Sequence, residues 1–308
     1  MFALNTNGTG FTNLYTLTAI DDATETNSDG AGPYAGLILS GNTLYGAAGS
    51  GGSSGNGTVF AVNTDGTGFT NLHSFTATDP TTGTNSDGAL PNGLVLSGST
   101  LYGTTFYGGN WGNGMVFAVN TDGTGFTVLH TFTASTRFNN VGLPINSDGA
   151  YPGGLILSGT TLYGTARSGG TGGNGTVFAI NTNGTGVSVL HSFTTSDNYY
   201  GTNSDGAYPD GLILSGNTLY GTAFAGGANG SGTVFSIFIQ PQLSIIPSGP
   251  YVILAWPTNY SGFTLQSTTN LGSSAVWTTN SSPRVVIGGE NVVINTISGA
   301  QQFYRLSQ

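Results

Sequence analysis

Short apolar runs bounded by turn residues recur along most of the chain. In residues 86–134 these runs are Gly93–Ser97, Thr100–Thr104, Met115–Asn120 and Phe126–Thr133. They alternate or cluster Val, Leu, Phe, Tyr and Thr, which is the pattern of half-buried β-strands. The short connections, Ser-Gly-Ser and Asn-Thr-Asp-Gly-Thr-Gly, are typical of tight hairpins. Because no segment of useful length has a helical period with caps, the pattern predicts a four-stranded antiparallel meander without helices.

The same meander is repeated along the first 240 residues. The sequence Leu-Tyr-Gly begins at Leu44, Leu101, Leu162 and Leu219, so its copies are 57, 61 and 57 residues apart. Complete meanders are predicted at 36–76, 93–133 and 154–194, and a three-stranded fourth at 211–238. Near the N-terminus, Phe2–Asn5 and Phe11–Thr18 match the third and fourth strands of a copy. A period of this size indicates a repeat architecture.

Repeated four-stranded meanders most often assemble as the blades of a β-propeller, where radial repetition leaves only short, protected edges. We therefore expect residues 1–240 to form a small propeller of four or five blades; a flat β-solenoid is the alternative. In the simplest closure, Phe11–Thr18 completes the last blade, and either Phe2–Asn5 or Val234–Phe238 becomes surplus. A surplus strand has an unpaired edge that a neighbouring molecule could use.

The repeat stops after Gln240, where the composition changes. Residues 241–308 contain about six strand-like runs, and Trp256 and Trp277 occupy positions that the alternation predicts to be buried. Their length and alternation predict a compact β-sandwich of immunoglobulin or fibronectin-III type.

Composition narrows the classes of partner. Charged residues make up only 6% of the chain, which contains no Lys and has a formal net charge of −9. Such a chain has no electrostatic means of binding nucleic acid or anionic lipid. The absence of Cys excludes disulfides and thiolate metal sites. No apolar run reaches the roughly 18 residues of a membrane span, and no signal peptide follows Met1. We expect a secreted or cell-surface protein whose export signal lies outside this sequence.

Four motifs recur together in the copies: DGAxP, LYGTT, GGxxGxGTVF and a closing LHSF. In the second copy they lie at Asp87–Pro91, Leu101–Thr105, Gly108–Phe117 and Leu129–Phe132. In this combination the chain resembles the GloVer tandem-repeat proteins of bacteria over residues 1–238. The C-terminal run AWPxxxxGFTLQSTTNL and the closing QQFYRL resemble the terminal sandwich of many such proteins. The resemblance implies secretion or a cell-surface location and supplies no activity.

Two repeated residue types are candidates for chemistry. His73, His130 and His191 occupy one repeat position, where the first copy has Tyr15. A catalytic triad needs a single arrangement, so this recurrence favours a packed structural residue. Asp29, Asp87, Asp148 and Asp205 recur in Asn-Ser-Asp-Gly-Ala-x-Pro. An Asx turn explains that motif, while the alternative is that these oxygen-rich loops are candidate Ca²⁺ ligands.

Enzymatic chemistry finds little support in the sequence. A glycosidase needs two differentiated carboxylates, and the only distinctive acidic cluster is Glu25 with Asp21 and Asp22. The Gly-rich loops lack a following Lys and helix, which excludes a phosphate-binding loop. We expect no catalytic residues and no required cofactor, with Ca²⁺ as the one candidate.

The loops that differ between copies all lie on one predicted face. In a four-stranded meander, loops 2–3 and 4–1 emerge together, opposite the nearly identical hairpin turns. The candidate ligand-binding residues on this variable-loop face are Phe106, Tyr107, Trp111, Arg137, Phe138, Arg167, Tyr199 and Tyr200. Exposed aromatic rings among Asn, Thr and Gly suit stacking against sugar rings, although they could equally pack loops together. Function is commonly carried by loops on a rigid scaffold.

The sequence therefore predicts a non-enzymatic binding module that recognises a glycan or a matrix component. Two alternatives remain open. One is a structural protein that self-associates through its surplus strand, and the other is a carbohydrate-active enzyme.

Overall fold

The computed structural model describes residues 1–139, 142–196, 201–258, 260, 262–273, 275–297 and 301–308. The protein is all-β, and no helix occurs within these ranges. Its strands form short sheets of antiparallel neighbours. This confirms the predicted class. The same residues contain no helix that is long and apolar enough to cross a membrane.

The chain divides into two compact units. The first consists of Met1–Leu157, Thr161–Ile213 and Tyr220–Phe235, and the second of Ser158–Thr160, Leu214–Leu219 and Ser236–Gln308. The sequence placed its domain boundary at residue 240.

The repeat array begins with an isolated hairpin of β1 (Phe2–Ala3) and β2 (Thr12–Asn13). Two complete four-stranded sheets follow. The first consists of β3 (Ile38–Ser40), β4 (Thr43–Ala48), β5 (Thr58–Asn63) and β6 (Thr70–Ser74). The second consists of β7 (Ala89–Ser97), β8 (Thr100–Tyr107), β9 (Met115–Asn120) and β10 (Thr127–Thr131). In both sheets the strands lie in chain order, as a meander requires.

The array continues with a short hairpin and two further sheets. The hairpin consists of β11 (Arg137–Phe138) and β12 (Pro144–Ile145). The third complete sheet consists of β13 (Ala150–Ser158), β14 (Thr161–Ser168), β15 (Thr176–Asn181) and β16 (Ser188–Ser192). The last sheet has three strands, β17 (Ala207–Ser215), β18 (Thr218–Ala225) and β19 (Thr233–Phe238).

Each Leu-Tyr-Gly motif owes its glycine to close packing between two strands. Gly103 in β8 lies opposite Phe117 in β9. A Cβ atom at Gly103 would lie 2.6 Å from Cζ of Phe117 and 2.7 Å from Cδ2 of Leu94. The ring of Phe117 therefore fills the space that a side chain at position 103 would occupy. Gly46 and Phe60 repeat this arrangement, with a Cβ-to-ring distance of 2.5 Å.

Consecutive sheets pack face to face through two kinds of surface. The forward face of a sheet carries the tyrosine of Leu-Tyr-Gly and small apolar residues of the third strand, as in Tyr45, Val59 and Ala61. The rear face carries a leucine, a phenylalanine and a third apolar residue, as in Leu101, Phe117 and Val119. These six buried side chains belong to one core cluster, so the forward face of the first sheet packs on the rear face of the second.

The same contact joins the next pair of sheets. Tyr102 and Val116 of the second forward face share a core cluster with Leu162, Phe178 and Ile180 of the third rear face. Burying such side chains contributes roughly 1.5–3 kcal/mol each. The array is thus a series of sheets in which each one completes the core of its neighbour.

The predicted strand pairing between the ends of the array is not formed. Thr12–Asn13 pairs with Phe2–Ala3 at its own end, instead of completing the last sheet. Among the described residues, β19 is consequently the outer strand of a three-stranded sheet. The physical reason is that the tight turn at Gly8 and Gly10, both with positive φ, allows β1 and β2 to pair locally.

The second unit contains two antiparallel sheets. Its strands are β20 (Ser244–Ser248), β21 (Tyr251–Pro257), β22 (Thr264–Thr268), β23 (Thr278–Thr279), β24 (Arg284–Ile287), β25 (Glu290–Thr296) and β26 (Phe303–Ser307). One sheet has the order β20-β21-β25-β24 and the other the order β23-β22-β26. Trp256, Leu254 and Val293 of the first sheet share a core cluster with Leu265 of the second. Trp277 is half-buried, and the Arg305 guanidinium lies 4.3 Å from the centre of its ring.

Candidate functional site

The repeated histidines and aspartates form a structural link between neighbouring sheets, which we name the inter-repeat clasp. Nε2 of His73 lies 3.0 Å from Oδ2 of Asp87, in the loop that leads to the next sheet. The same Asp87 carboxylate accepts hydrogen bonds from the backbone N–H and the hydroxyl of Thr76. The His73 ring also stacks on Phe126 of the next repeat, with 3.8 Å between ring centres.

The clasp recurs at every equivalent position. His130 pairs with Asp148 and His191 with Asp205, each at 2.8 Å. In the first copy, the hydroxyl of Tyr15 donates to Asp29 at 2.9 Å. Because a phenol replaces the imidazole there without loss of the contact, this geometry agrees with a structural role for the histidines.

Electrostatics favour the ionised carboxylates of Asp87 and Asp148. Burial alone would raise the pKa of Asp148, but hydrogen bonds from His130 and Thr133 outweigh it and leave this pKa below its ordinary value. The pKa of Asp87 is lowered in the same way by His73 and Thr76, against the effect of its burial. A charged acceptor strengthens each of these hydrogen bonds.

The aspartates do not form the predicted Asx turn, because their carboxylates accept hydrogen bonds from a threonine just after the preceding strand. The local bond of the motif is made by the asparagine two residues earlier. Oδ1 of Asn85 accepts the N–H of Gly88, and its amide group donates to the carbonyl of Thr76. Gly88 has the positive φ that the motif predicted, at 94°. The motif therefore combines a turn built on Asn85 with an Asp87 carboxylate that is hydrogen-bonded to His73 and Thr76.

The four aspartates predicted as candidate Ca²⁺ ligands lie in four different clasps. The carboxylate of Asp29 resembles the other three in accepting hydrogen bonds from a threonine N–H, at Thr18. Within the described ranges, no group of three or more His, Cys, Asp or Glu side chains is placed to hold a metal ion. Calcium binding stays a prediction.

Three bulky residues of the DGAxP motif adopt a left-handed backbone conformation. Leu90, Tyr151 and Tyr208 have φ of 55°, 60° and 57°. The backbone N–H of Tyr151 donates to the carbonyl of Asn113 in the preceding repeat, at 2.9 Å. The first copy has Gly32 at this position, with φ of 62°. Non-glycine residues are uncommon in this region and cost of order 1–3 kcal/mol when the surrounding structure imposes it.

The first groove on the variable-loop face has a volume of about 660 Å³. Its aromatic lining is Tyr107, Trp111, Phe138 and Tyr151, and its polar lining includes Asn56, Thr82, Asn113 and Ser135. Tyr107, Trp111 and Phe138 are 45%, 58% and 64% exposed. The structure thus brings together three of the predicted ligand-binding residues.

A second groove of about 360 Å³ adjoins the first through Tyr151, which lines both. It contains the predicted residues Phe106 and Arg167, together with Tyr208, Asp210 and Phe224. The Phe106 and Tyr151 rings are stacked with 5.1 Å between their centres, and Tyr107 meets Tyr151 edge-on at 5.4 Å. The Arg167 guanidinium lies 5.9 Å from the centre of the Tyr208 ring.

Burial raises the pKa of the Tyr151 phenol, and the nearby Tyr107 raises it further. The Tyr151 hydroxyl therefore stays protonated at neutral pH. It can both donate and accept a hydrogen bond at the junction of the two grooves.

One of the remaining predicted ligand-binding residues lies outside both grooves. Arg137 precedes Phe138 in β11 and is exposed, but it does not line either groove, because neighbouring side chains of a strand point to opposite faces. Tyr199 and Tyr200 lie outside the described residues.

Sequence reasoning missed Tyr151 and Tyr208, which belong to the grooves. Both lie in a motif that reads as a turn, and a tyrosine is not expected at a left-handed position. A signal was present, because this position holds Gly, Leu, Tyr and Tyr in successive copies while its neighbours are repeated.

The acidic cluster near the N-terminus forms a turn. Oδ1 of Asp21 accepts hydrogen bonds from the backbone N–H groups of Ala23 and Thr24, and bonds with Thr24 and Ala23 lower its pKa. Asp79 makes the same contacts in the next copy. Glu25 has φ of 57° where that copy has Gly83 at 68°.

Residues 1–154, half of the chain, match the Gloeobacter/Verrucomicrobia repeat family. Comparison with curated proteins finds no match.

Similar solved structures include TolB from Acinetobacter baumannii, with 10% identity, a TM-score of 0.41, and coverage of 84% of this chain and 56% of that one. An exo-β-1,3-galactanase from Phanerochaete chrysosporium has 13% identity and a TM-score of 0.37, and the match covers 91% of this chain and 63% of the galactanase. An endo-arabinase from Bacteroides thetaiotaomicron has 12% identity and a TM-score of 0.34, and the match covers 93% of this chain and 99% of the arabinase. This chain thus spans 56% and 63% of the first two proteins. At such scores and identities, the resemblance supports no inference about activity.

Proposed function

Since the chain belongs to the Gloeobacter/Verrucomicrobia repeat family, we propose that its repeats form the scaffold of a secreted or cell-surface module that binds a glycan. The proposed architecture is a small propeller of four or five blades, with its first and last sheets left open within one chain, followed by an immunoglobulin-like or fibronectin-III-like sandwich. An acidic surface without Lys, which disfavours anionic partners such as nucleic acid, supports a neutral ligand.

The exposure of Tyr107, Trp111 and Phe138 around one groove is the observation that carries the proposal. Large exposed aromatic side chains that converge on a concavity commonly mark a binding surface. Each ring offers an apolar face on which the C–H face of a sugar ring can stack, and Tyr107 and Trp111 also carry a polar O–H or N–H group.

Polar groups in the same groove suit the hydroxyl groups of a sugar. Asn56, Thr82, Asn113 and Ser135 line the first groove. The amide groups of Asn56 and Asn113 donate to the carbonyls of Thr76 and Thr133, which fixes both side chains in place. Neutral donors and acceptors of this kind lose less on desolvation than charged groups do. The second groove continues past Tyr151, so an extended oligosaccharide could occupy both.

Strain at Tyr151 is also consistent with a binding role. A tyrosine held at positive φ by its backbone bond to Asn113 is fixed in place before a ligand arrives. Such preorganisation lowers the entropic cost of binding.

We propose binding without turnover. The turn formed by Asp21 and Glu25 recurs with Asp79 and Gly83, which supports a local structural role for the acidic cluster. If the rival glycosidase were correct, replacing Glu25, Asp21 and Asp22 together would abolish sugar release.

The first test is a glycan-array screen of the purified chain, followed by titration calorimetry of the best ligand. We expect Trp111→Ala and Tyr107→Ala each to weaken binding about tenfold or more, which corresponds to about 1.4 kcal/mol. Tyr251→Ala is the matched control, because this exposed tyrosine belongs to the second unit.

The same screen is run with and without Ca²⁺. Binding that needs Ca²⁺ would support the repeated aspartates as ligands. An array without any hit, or equal affinity in the Trp111→Ala variant, would remove the grooves from consideration as a glycan site.

A further inference from the structure

The forward face of the last sheet is uncovered. Ile213, Tyr220 and Val234 are 68%, 42% and 81% exposed. They line an apolar depression of about 360 Å³. At the equivalent positions of the third sheet, Tyr163 is 1% and Val177 is 0% exposed. Residues of these types are buried between sheets elsewhere in the array, but among the described residues no sheet packs on them here.

The opposite end of the array exposes a rear face. Phe2, Leu4 and Phe11 of the N-terminal hairpin are 64%, 50% and 67% exposed. When the repeats are aligned in sequence, these residues correspond to Phe117, Val119 and Phe126, which lie on the rear face of the second sheet. Phe2 and Phe11 are stacked with 5.4 Å between ring centres, and Phe117 and Phe126 are stacked at the same distance. The hairpin therefore displays a ring pair of the kind that packs against a forward face inside the array.

The two exposed faces are the two halves of an interface that the chain already forms between its own sheets. Forward and rear faces pack together between the first and second sheets and between the second and third sheets. We propose that two copies of this chain associate head to tail, with the forward face of the last sheet on one copy packed against the N-terminal hairpin of the next.

This geometry makes the interface heterologous. Each copy contributes a different surface, so an open chain of copies keeps one forward and one rear face free at its ends. Association therefore produces open chains, or rings where the last copy meets the first. None of the six residues is charged, and the attraction between them is hydrophobic. The copies themselves repel each other, because each carries a net charge of −9.

The test measures the mass of the 308-residue chain by analytical ultracentrifugation over a range of concentrations. We expect the mass to rise above that of the monomer as concentration increases. Association should be stronger in about 0.5 M NaCl than at low salt, because screening weakens the repulsion between acidic copies.

Two variants block one face each. Val234→Asp places a charge on the forward face, and Leu4→Asp places one on the rear face. Both side chains are exposed in the single copy, so neither change should prevent folding, which circular dichroism checks. We expect each variant alone to remain a monomer. Val276→Asp, at a residue 74% exposed in the second unit, is the control and should associate like the original chain.

The mixture of the two blocked variants gives the sharpest result. Each retains the face that the other lacks, so an equimolar mixture should form dimers and nothing larger. A monomer at every concentration would overturn the proposal, including the case in which the two faces close on each other within one chain. Dimers of Val234→Asp alone, or a mixture without dimers, would equally contradict it.

Discussion

At the scale of the residue, two positions explain much of the repeated sequence. Gly103 is required because the Phe117 ring occupies the space beside it, although its own φ is ordinary. Tyr151 presents the opposite case, since its φ of 60° suits glycine while its ring lines both grooves. The first is a packing requirement and the second is local strain retained at a candidate site.

Replacing Gly103 by Ala should destabilise the protein by about 1–3 kcal/mol, because the added Cβ overlaps the Phe117 ring. Chemical denaturation measures the change. Gly36→Ala is the control, since no atom lies within 4 Å of a Cβ at Gly36 and its φ is not positive. Equal stability of the two variants would show that the ring moves without cost.

Tyr151→Gly should be more stable than Tyr151→Ala by about 1 kcal/mol. Both substitutions remove the ring, and only glycine is unstrained at positive φ. Paired denaturation curves give the difference. An alanine variant as stable as the glycine variant would mean that the backbone at residue 151 relaxes.

At the scale of the element, the clasp joins the fourth strand of one sheet to the loop before the next. Asp148 accepts hydrogen bonds from the Thr133 backbone, the Thr133 hydroxyl and His130. Each sheet edge is therefore fixed by polar contacts as well as by its apolar faces.

Asp148→Ala should lower the free energy of unfolding by about 2–3 kcal/mol, because it leaves a partly buried N–H and an imidazole without their charged acceptor. Asp122→Ala, in an exposed hairpin turn, should change stability much less. A similar loss in both variants would contradict a special role for the clasp.

The clasp should also make stability depend on acid. The pKa values of Asp87 and Asp148 are lower in the folded protein than the ordinary 3.8, so their contribution is complete above that value and is lost as pH falls through the lower folded pKa. The melting temperature should therefore start to fall as the pH drops below about 4, and should continue to fall at lower pH. The fall should be smaller in Asp148→Ala, and an equal fall would assign the acid sensitivity to other groups.

The sequence predicted the strands well, because alternation and turn residues encode them locally. Three of the predicted ligand-binding residues, Tyr107, Trp111 and Phe138, line the same groove. The pairing of β1 with β2 was not predicted, since Phe11–Thr18 carries the same pattern whether it pairs locally or with β19. The partner of each histidine was missed as well. His73 and Asp87 are 14 residues apart, and no local pattern links them.

At the scale of the whole molecule, the array has open faces at both ends, with Val234 exposed at one and Phe2 at the other. Glycan binding and head-to-tail association depend on different residues and can fail independently. Were both present, a row of copies would display many grooves, and weak single contacts would combine into tight attachment.

The clasp also separates the connecting loops, whose length and sequence differ between copies, from the repeated sheets. It fixes the two ends of each connecting loop, at Thr76 with Asp87 and at Thr133 with Asp148. The second of these loops is four residues longer, yet the same bonds close it. Mutation can therefore lengthen or rewrite the loop while the fold is inherited unchanged. A scaffold of this kind is a ready starting point for grafting new recognition loops in the laboratory.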